Sequence, residues 1–398
     1  MLSLSRSLPS PSTSSAAAAG AGPFVSVTVI VDDLVFPDGR TSMARTGGGG
    51  AQACFGALVW DDDEDGDDAS GAALVAGVGR DLPGECREWL DRCGIDVRGL
   101  VTHASRSTPR AWQIMEADGR RREVWRTPDA EMETLGSMLR VDPRDVPADL
   151  LTGAAAVHVA LDPTHADQVD WLDAFLGACG SGEGGPHPQV SQQLRSAEPY
   201  CAPERALRPD ELHFLFRRLD VWSPNAREAE ASLHGTSGGY RGAGGGAEGV
   251  VARAVHNVGL LALAASETSG RRTGVICIRC GEHGAVVADL EAGRVHVVPA
   301  VHREGSDNAV DPTGCGNAFC GGFAASLAGA RRGKRVHEQP AVDPILWAGV
   351  CGAVSSSFML EHVAVPPADV LPLARRDAPS RAAHLLPCCT TADLVLPV

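Results

Sequence analysis

The 398 residues predict an α/β fold: a mainly parallel sheet covered by helices, with a small β excursion. Two observations carry that expectation. Apolar, β-branched segments closed by glycines alternate with amphipathic stretches along most of the chain, the rhythm of parallel strands joined by helices. Between Thr108 and Arg126 the pattern changes, because two alternating segments flank Asp118-Gly119, a strong hairpin signal.

The first 23 residues, "MLSLSRSLPSPSTSSAAAAGAGP", are rich in Ser, Ala and Pro, with no acid and one Arg. They read as a disordered leader, and the chain as cytoplasmic. The alternative is an organelle address, which the missing acids weakly resemble. "FVSVTVIVDDLVF" then reads as one strand ending at Asp32 and Asp33, and "GGGGAQACFGALVW" as a glycine turn opening a helix with Phe55 and Val59 four apart. "GAALVAGVGRD" is a buried strand and "ECREWLDRCGI" a short amphipathic helix. After the hairpin come a strand at "AAAVHVAL", a helix around "QVDWLDAFLGA", a polar loop near 180–196, and a further α/β unit at "LHFLFRRLDVWSPN". Residues 235–249 read as a glycine-rich surface loop, and "PILWAGVCGAVSSSFMLEH" as the final helix. The expected organisation is a leader over 1–23, one domain over 24–370 with a lid hairpin at about 108–126, and a C-terminal tail over 371–398.

Net charge is −15, and the run "DDDEDGDD" at Asp61–Asp68 holds seven of the fifty acidic residues; removing that run takes the balance to −8. An acidic chain with no block of Lys and Arg is poorly suited to gripping nucleic acid or anionic lipid, so small molecules are the expected partners. No apolar run approaches the eighteen or so residues of a membrane helix. The acidic run places Asp61, Asp63, Asp65 and Gly66 as in a calcium loop, but the twelfth position is Ala72, which brings no carboxylate. Twelve scattered cysteines read as reduced thiols. Cys277 and Cys280 lie three apart on a strand, hence on opposite faces, and Cys388-Cys389 has no ligand cluster beside it.

The chemistry concentrates in "DPTGCGNAFCGGF". Gly314 and Gly316 permit tight backbone geometry, and a helix opening there presents unpaired N–H groups and the positive end of its dipole, an anion site. Phe319, Phe323 and Leu327, spaced by four, would bury one face and hold the loop rigid. The same letters also suit a plain glycine turn before a helix. Cys315 at the helix start admits two readings, a thiol activated by the dipole or simply a small residue that fits.

Taken with three further segments in order, this stretch resembles the pfkB family of carbohydrate and nucleoside kinases. The family's C-terminal signature is D-T-x-G-A-G-D before a glycine-rich helix; Asp311, Thr313, Gly314 and Gly316 match it, and Asn317 falls on the catalytic Asp. "GGGGAQACFGAL" is similar to the substrate motif, with Gln52 where Asn is usual; Asn225-x-x-Glu228 is similar to the NxxE motif, and "IRCGEHGA" to the strand and turn lining the nucleotide pocket. The resemblance spans roughly Phe24 to Val365. Within the family, "DPTGCGN" and "VSSSFMLEH" resemble a divergent branch, the yeast maintenance-of-killer proteins.

The resemblance implies a ribokinase-like three-layer α/β/α sandwich with a small β lid. It implies ATP and Mg²⁺ as cofactors and a small hydroxylated substrate. Oligomeric state stays open: an exposed lid strand could pair with another subunit, giving a homodimer through the lid, or remain covered. Asp33 would bond substrate hydroxyls, and Gly47, Gly48 and Gln52 would line the substrate. Glu228, with Asn225, would act through water on magnesium; Gly281 and Gly284 would border ATP, with Thr313 beside the phosphates. Asp311 matches a position that in some members helps hold a monovalent cation. Backbone N–H groups from Gly314 to Asn317, including Cys315 and Gly316, would form the anion hole. With Asn317 in the base position, the implied activity is an impaired or atypical phosphotransferase, or an inactive pseudokinase that binds nucleotide or sugar.

Overall fold

The computed structural model describes residues 22–61, 71–116, 121–180, 193–236, 246–302, 308–333 and 342–397. In chain order these form β1 (Phe24–Val27), β2 (Ile30–Val35), β3 (Thr41–Gly47), α1 (Gly49–Leu58), β4 (Ala72–Gly79), α2 (Gly84–Arg92), β5 (Leu100–His103), β6 (Arg110–Met115) and β7 (Arg121–Trp125). There follow α3 (Met132–Leu139), α4 (Ala148–Thr152), β8 (Ala156–Leu161), α5 (Ala166–Gly180), β9 (Leu194–Pro199), α6 (Pro209–Arg218), β10 (Val221–Trp222), α7 (Ala226–His234) and α8 (Gly246–Ser266). The last third contributes β11 (Val275–Arg279), β12 (Ala285–Asp289), β13 (Arg294–Val298), α9 (Cys315–Arg331), α10 (Pro344–Leu360), α11 (Val370–Leu385) and β14 (Thr390–Asp393).

A 10-stranded sheet runs β14-β13-β12-β11-β10-β9-β8-β1-β4-β5, and a separate 4-stranded sheet runs β3-β2-β6-β7. The large sheet is parallel from β5 to β11 and antiparallel beyond it. Because strand side chains alternate, each strand feeds two cores. Cys277, Val287 and Val298 face a core shared with α1, α2, α9, α10 and α11, while Ile276, Ile278 and Val286 face one shared with α5, α6 and α8. The three-layer sandwich with a small β lid is therefore present, and Cys277 and Cys280 fall into different cores as their spacing predicts.

Several expectations change. "FVSVTVIVDDLVF" is two strands rather than one: Thr28 turns the chain with φ 89°, sending β1 into the main sheet and β2 into the lid. The 108–126 hairpin supplies β6 and β7, with its turn outside the described residues, so the lid holds twice the strands expected from it. The segment read as a polar loop near 180–196 hides β9, whose Ser196 and Glu198 are buried through polar partners rather than apolar packing. The glycine-rich loop gives way at Gly246 to α8, whose Glu248–Ser266 portion, 19 residues at mean hydropathy 1.4, does reach the length and composition of a membrane-crossing helix. Here Val258, Leu261 and Ala265 of that helix pack into the second core, and Asn257 bonds Glu230. The last helix is not α10: α11 buries Leu371, Ala374, Ala378 and Ala382, and β14 extends the main sheet, so 370–393 is built into the domain rather than trailing from it. The leader before residue 22 and most of the acidic run lie outside the described residues.

α1 and α9 cross at backbone distance. A Cβ on Gly56 would sit 2.1 Å from the Ala318 carbonyl oxygen, and one on Gly321 would sit 1.9 Å from that of Ala53. Ser355 of α10, fully buried, donates to the Gly56 carbonyl at 2.8 Å and accepts from Trp60 Nε1 at 3.0 Å, locking a third helix onto the crossing. On the far face of α9, Phe319, Phe323 and Leu327 are buried as their spacing predicts. Replacing Gly321 by Ala is expected to destabilise by about 1–3 kcal/mol, because only backbone can move to admit the methyl. Gly177→Ala, on α5 with nothing within 4 Å of the added atom, is expected to stabilise by roughly 0.5–1 kcal/mol. Chemical denaturation of both variants checks the pair of signs.

Candidate active site

The α1–α9 crossing delivers two amides to one point. Asn317, in the first turn of α9, donates its Nδ2 hydrogen to Gln52 Oε1 of α1 at 2.6 Å. Gly314 precedes that turn in the left-handed region, φ 77°, and a Cβ there would lie 2.4 Å from the Gln52 amide carbon, so position and conformation both require glycine. Among the described residues, the N–H groups of Gly316 and Asn317 find no backbone acceptor, leaving the helix start open to an anion. Burial pushes the Cys315 thiol up to about 12, which counts against a thiol activated by the helix dipole and favours the small residue that fits.

These groups line a cavity of about 440 Å³ between lid and sheet, walled also by Asp32, Gly48, Gly49, Gln113, Glu123, Arg140, Tyr200 and Glu228. Asp33, expected to face the substrate, does not line it. It is fully buried on the other side of β2, where Arg110 Nε donates to it at 2.6 Å, Ala44 N at 2.9 Å, and Arg126 also bonds it. Burial works against that charge, but Arg110, the Ala44 amide and Arg126 outweigh it and hold the carboxyl below its usual range. Strand alternation gives the cavity position to Asp32, which accepts from Gln113 Nε2 at 2.9 Å. Gly47 serves that carboxylate: its missing Cβ would fall 1.9 Å from Asp32 Oδ2.

A second cavity of about 490 Å³ is lined by Gly281, Gly284, Val301, Asp311, Cys315, Phe319, Ala353 and Leu360, among others. Asn225, Arg279, Pro312 and Gly316 border both cavities. Gly281 and Gly284 therefore line one cavity together, while Thr313 falls in the first cavity. Asp311 turns its two oxygens onto backbone, accepting from Thr313 N and Ala364 N at 2.9 Å each, and so fixes the loop before α9.

Asn225 and Glu228 form a capping box at the start of α7: Asn225 N donates to Glu228 Oε2 at 2.7 Å, and Glu228 N to Asn225 Oδ1 at 2.8 Å. The Asn225 side chain also donates to Glu228 Oε1 at 2.6 Å. Burial pushes the Glu228 carboxyl up to about 7 against the pull of Arg279. Arg279 and Glu198 were not singled out from the sequence. Arg279 ends β11, buried, and pairs with Glu198 at 2.7 Å and Glu228 at 3.4 Å. Glu198 in turn meets His158 Nε2 at 3.3 Å, and His158 Nδ1 meets Ser196 Oγ at 3.0 Å. His158, Glu198 and Cys320 cluster closely enough to suggest a metal, but the carboxylate is already paired with a guanidinium. The available signal for Arg279 was a lone charge at the end of the apolar run "VICIR".

The architecture defines a ribokinase-like sandwich, and comparison with known proteins agrees. The pattern of the pfkB family carbohydrate kinases matches residues 42–339, so the chain belongs to that family. A cytidine kinase of Thermococcus kodakarensis is 27% identical over 314 residues, 78% of this chain and 88% of that protein. The ribokinase of Giardia lamblia superposes with a TM-score of 0.62 at 19% identity, covering 89% of this chain and 99% of that one. A putative ribokinase II from E. coli in complex with ATP and Mg²⁺ gives 0.56 at 15% identity, over 89% and 99% of the two chains.

The raised Glu228 carboxyl links stability to pH. Its folded value of about 7 exceeds the ordinary 4.5, so the folded state binds the proton more tightly. The resulting increment, about 3 kcal/mol at most, is full below the ordinary value and is lost as pH rises toward the folded one. Wild type should therefore lose unfolding free energy between about pH 4.5 and 7 relative to Glu228→Gln, with parallel curves above that range. Denaturant titrations across pH 4 to 9 check the difference.

Proposed function

We propose that this chain transfers the terminal phosphoryl group of ATP to a hydroxyl of a sugar, nucleoside or related small molecule, slowly compared with an enzyme carrying a base. The observation behind this reading is the junction itself: two cavities meet at an open helix start, Gly316 and Arg279 line that meeting point, and Asn317 stands beside it in the first cavity. The nucleoside end fits the cavity of Gly281 and Gly284, and the acceptor fits the cavity of Asp32 and Gln113, whose oxygens suit hydroxyl groups. The names of the cytidine kinase relative and of the ATP- and Mg²⁺-bound neighbour support a nucleoside-type acceptor and ATP as the donor. Magnesium, which would balance the phosphate charge, fits as a hydrated ion, since both Glu228 oxygens already accept hydrogen bonds from Asn225.

In this reading the acceptor oxygen attacks the terminal phosphorus, the bond to the bridging oxygen breaks, and ADP leaves. Asn317, its amide hydrogen held by Gln52, offers Oδ1 to orient the attacking hydroxyl but takes no proton. The proton leaves to solvent or to a phosphate oxygen. Losing base assistance costs typically about 10²- to 10⁴-fold, while positioning and charge stabilisation remain. The sequence similarity of "DPTGCGN" and "VSSSFMLEH" supports placing the chain in the maintenance-of-killer branch. The open lid edges β3 and β7, with Met43 43% and Val124 47% exposed, support a lid-to-lid homodimer.

A second reading is a binding protein without turnover, favoured by the amide at position 317. ATP consumption over a panel of sugars and nucleosides, with wild type and Asn317→Asp, separates the two. Gln52 can reverse its amide to donate to the new carboxylate, so the substitution fits the site. Phosphotransfer by wild type, rising about 10²- to 10⁴-fold in the variant, supports the enzyme. ATP binding with no transfer by wild type, and transfer only by the variant, establishes the binding protein.

A further inference from the structure

Arg279 is more than a strut between strands. Its Nη2 donates to the Ser223 carbonyl at 2.9 Å and contacts Glu198 Oε2 at 2.7 Å and Glu228 Oε2 at 3.4 Å. Those contacts fix the guanidinium plane from one side, and the plane is planar and rigid, so its remaining N–H groups have a set direction. Among the described residues, buried Nε has no partner, and Nη1 takes part in none of the contacts just named. Nη1 points at the start of α9: a Cβ on Gly316 would lie 2.3 Å from it. Glycine at 316 thus leaves room for the guanidinium beside the two open N–H groups of that helix turn, on the wall common to both cavities.

We propose that Arg279 is a resident phosphate-binding cation: it grips the nucleotide's terminal phosphate where the two cavities meet and stabilises the charge that the transferring phosphoryl group develops. This role rests on the nucleotide reading above. Two features suit the residue to it. A guanidinium offers parallel N–H donors matched to phosphate oxygens. It is preorganised by Glu198, itself held by His158, so no reorganisation is needed when phosphate arrives.

A structural strut and a phosphate cation differ in what their removal does to ligands with and without phosphate. The full chain is titrated with ATP and with adenosine, in magnesium and in EDTA, by calorimetry, as wild type, Arg279→Met and Arg279→Lys. The expected result is that Arg279→Met weakens ATP binding about 10- to 100-fold, the worth of a charged hydrogen-bonding group, and leaves adenosine binding unchanged. Arg279→Lys, which keeps the charge but loses the fork, should recover part of the loss. Wild type should retain more of its ATP affinity in EDTA than Arg279→Met does. Equal losses for ATP and adenosine, or no loss for either, overturn the proposal and return Arg279 to a structural role. If Arg279→Met does not fold, the lysine variant decides alone: weaker ATP with unchanged adenosine supports the cation, and parallel changes reject it. Wild type that binds neither ligand removes the nucleotide reading itself, an outcome distinct from a failure confined to the Arg279 variants.

Discussion

The close crossing of α1 and α9 sets the geometry on which the site depends. Gly56 and Gly321 let each helix rest on the other's backbone, at Ala318 and Ala53. Ordinary side chains would hold helix axes about 8–10 Å apart; glycine at the contact lets them approach further. That approach puts Gln52 within hydrogen-bond reach of Asn317, and leaves Gly314 no room for any side chain. The site residues are therefore placed by the close backbone approach at two glycines outside the cavity. Buried Ser355 and Trp60 tie α10 to the same junction, so three helices fix the two amides with little freedom to drift.

Much of this was legible in the sequence, for a physical reason. Glycine runs, helix starts and β-branched strands are local signals, and "GGGGAQACFGAL", "DPTGCGNAF" and "SPNAREAE" each carry their structure within a dozen residues. Family membership and the sandwich followed from their order. What stayed hidden is what depends on partners distant in the chain. Asp32 and Asp33 are adjacent letters with opposite fates, decided by which face of β2 meets Arg110 and Arg126 across the lid. β9 reads as polar loop because Ser196 and Glu198 are polar; its burial becomes affordable only through His158 and Arg279, 38 and 81 positions away in the numbering. Arg279 itself looks like the polar end of an apolar strand until Glu198 and Glu228 are seen around it.

Two of these misreadings share a pattern. They fall where a local rule is broken at the cavity wall: a charged strand end at Arg279 and a polar buried strand at Glu198. Burying a charge is costly unless it is paired and hydrogen-bonded, so a chain of Ser196, His158, Glu198, Arg279 and Glu228 persists only as a connected set. Stability alone would favour an apolar core at that position. The concentration of such groups at the junction of two cavities is what separates a site from a merely well-packed interior.

The amide at 317 acquires a different weight in that setting. In a loose phosphoryl-transfer transition state the bond to the attacking oxygen is little formed, so positioning and charge stabilisation carry more of the rate than proton removal does. The larger demand is to hold negative charge on the moving group and to keep the attacking oxygen in line. On the proposed reading, the open helix start and the guanidinium aimed at Gly316 would address the first demand, and the Asn317 carbonyl, oriented by Gln52, the second. A neutral amide also removes a like charge from beside the phosphate, which a carboxylate would impose on binding. On the function proposed above, the substitution would withdraw base assistance and relieve a repulsion, and the arrangement that remains would favour holding the nucleotide over turning it over quickly.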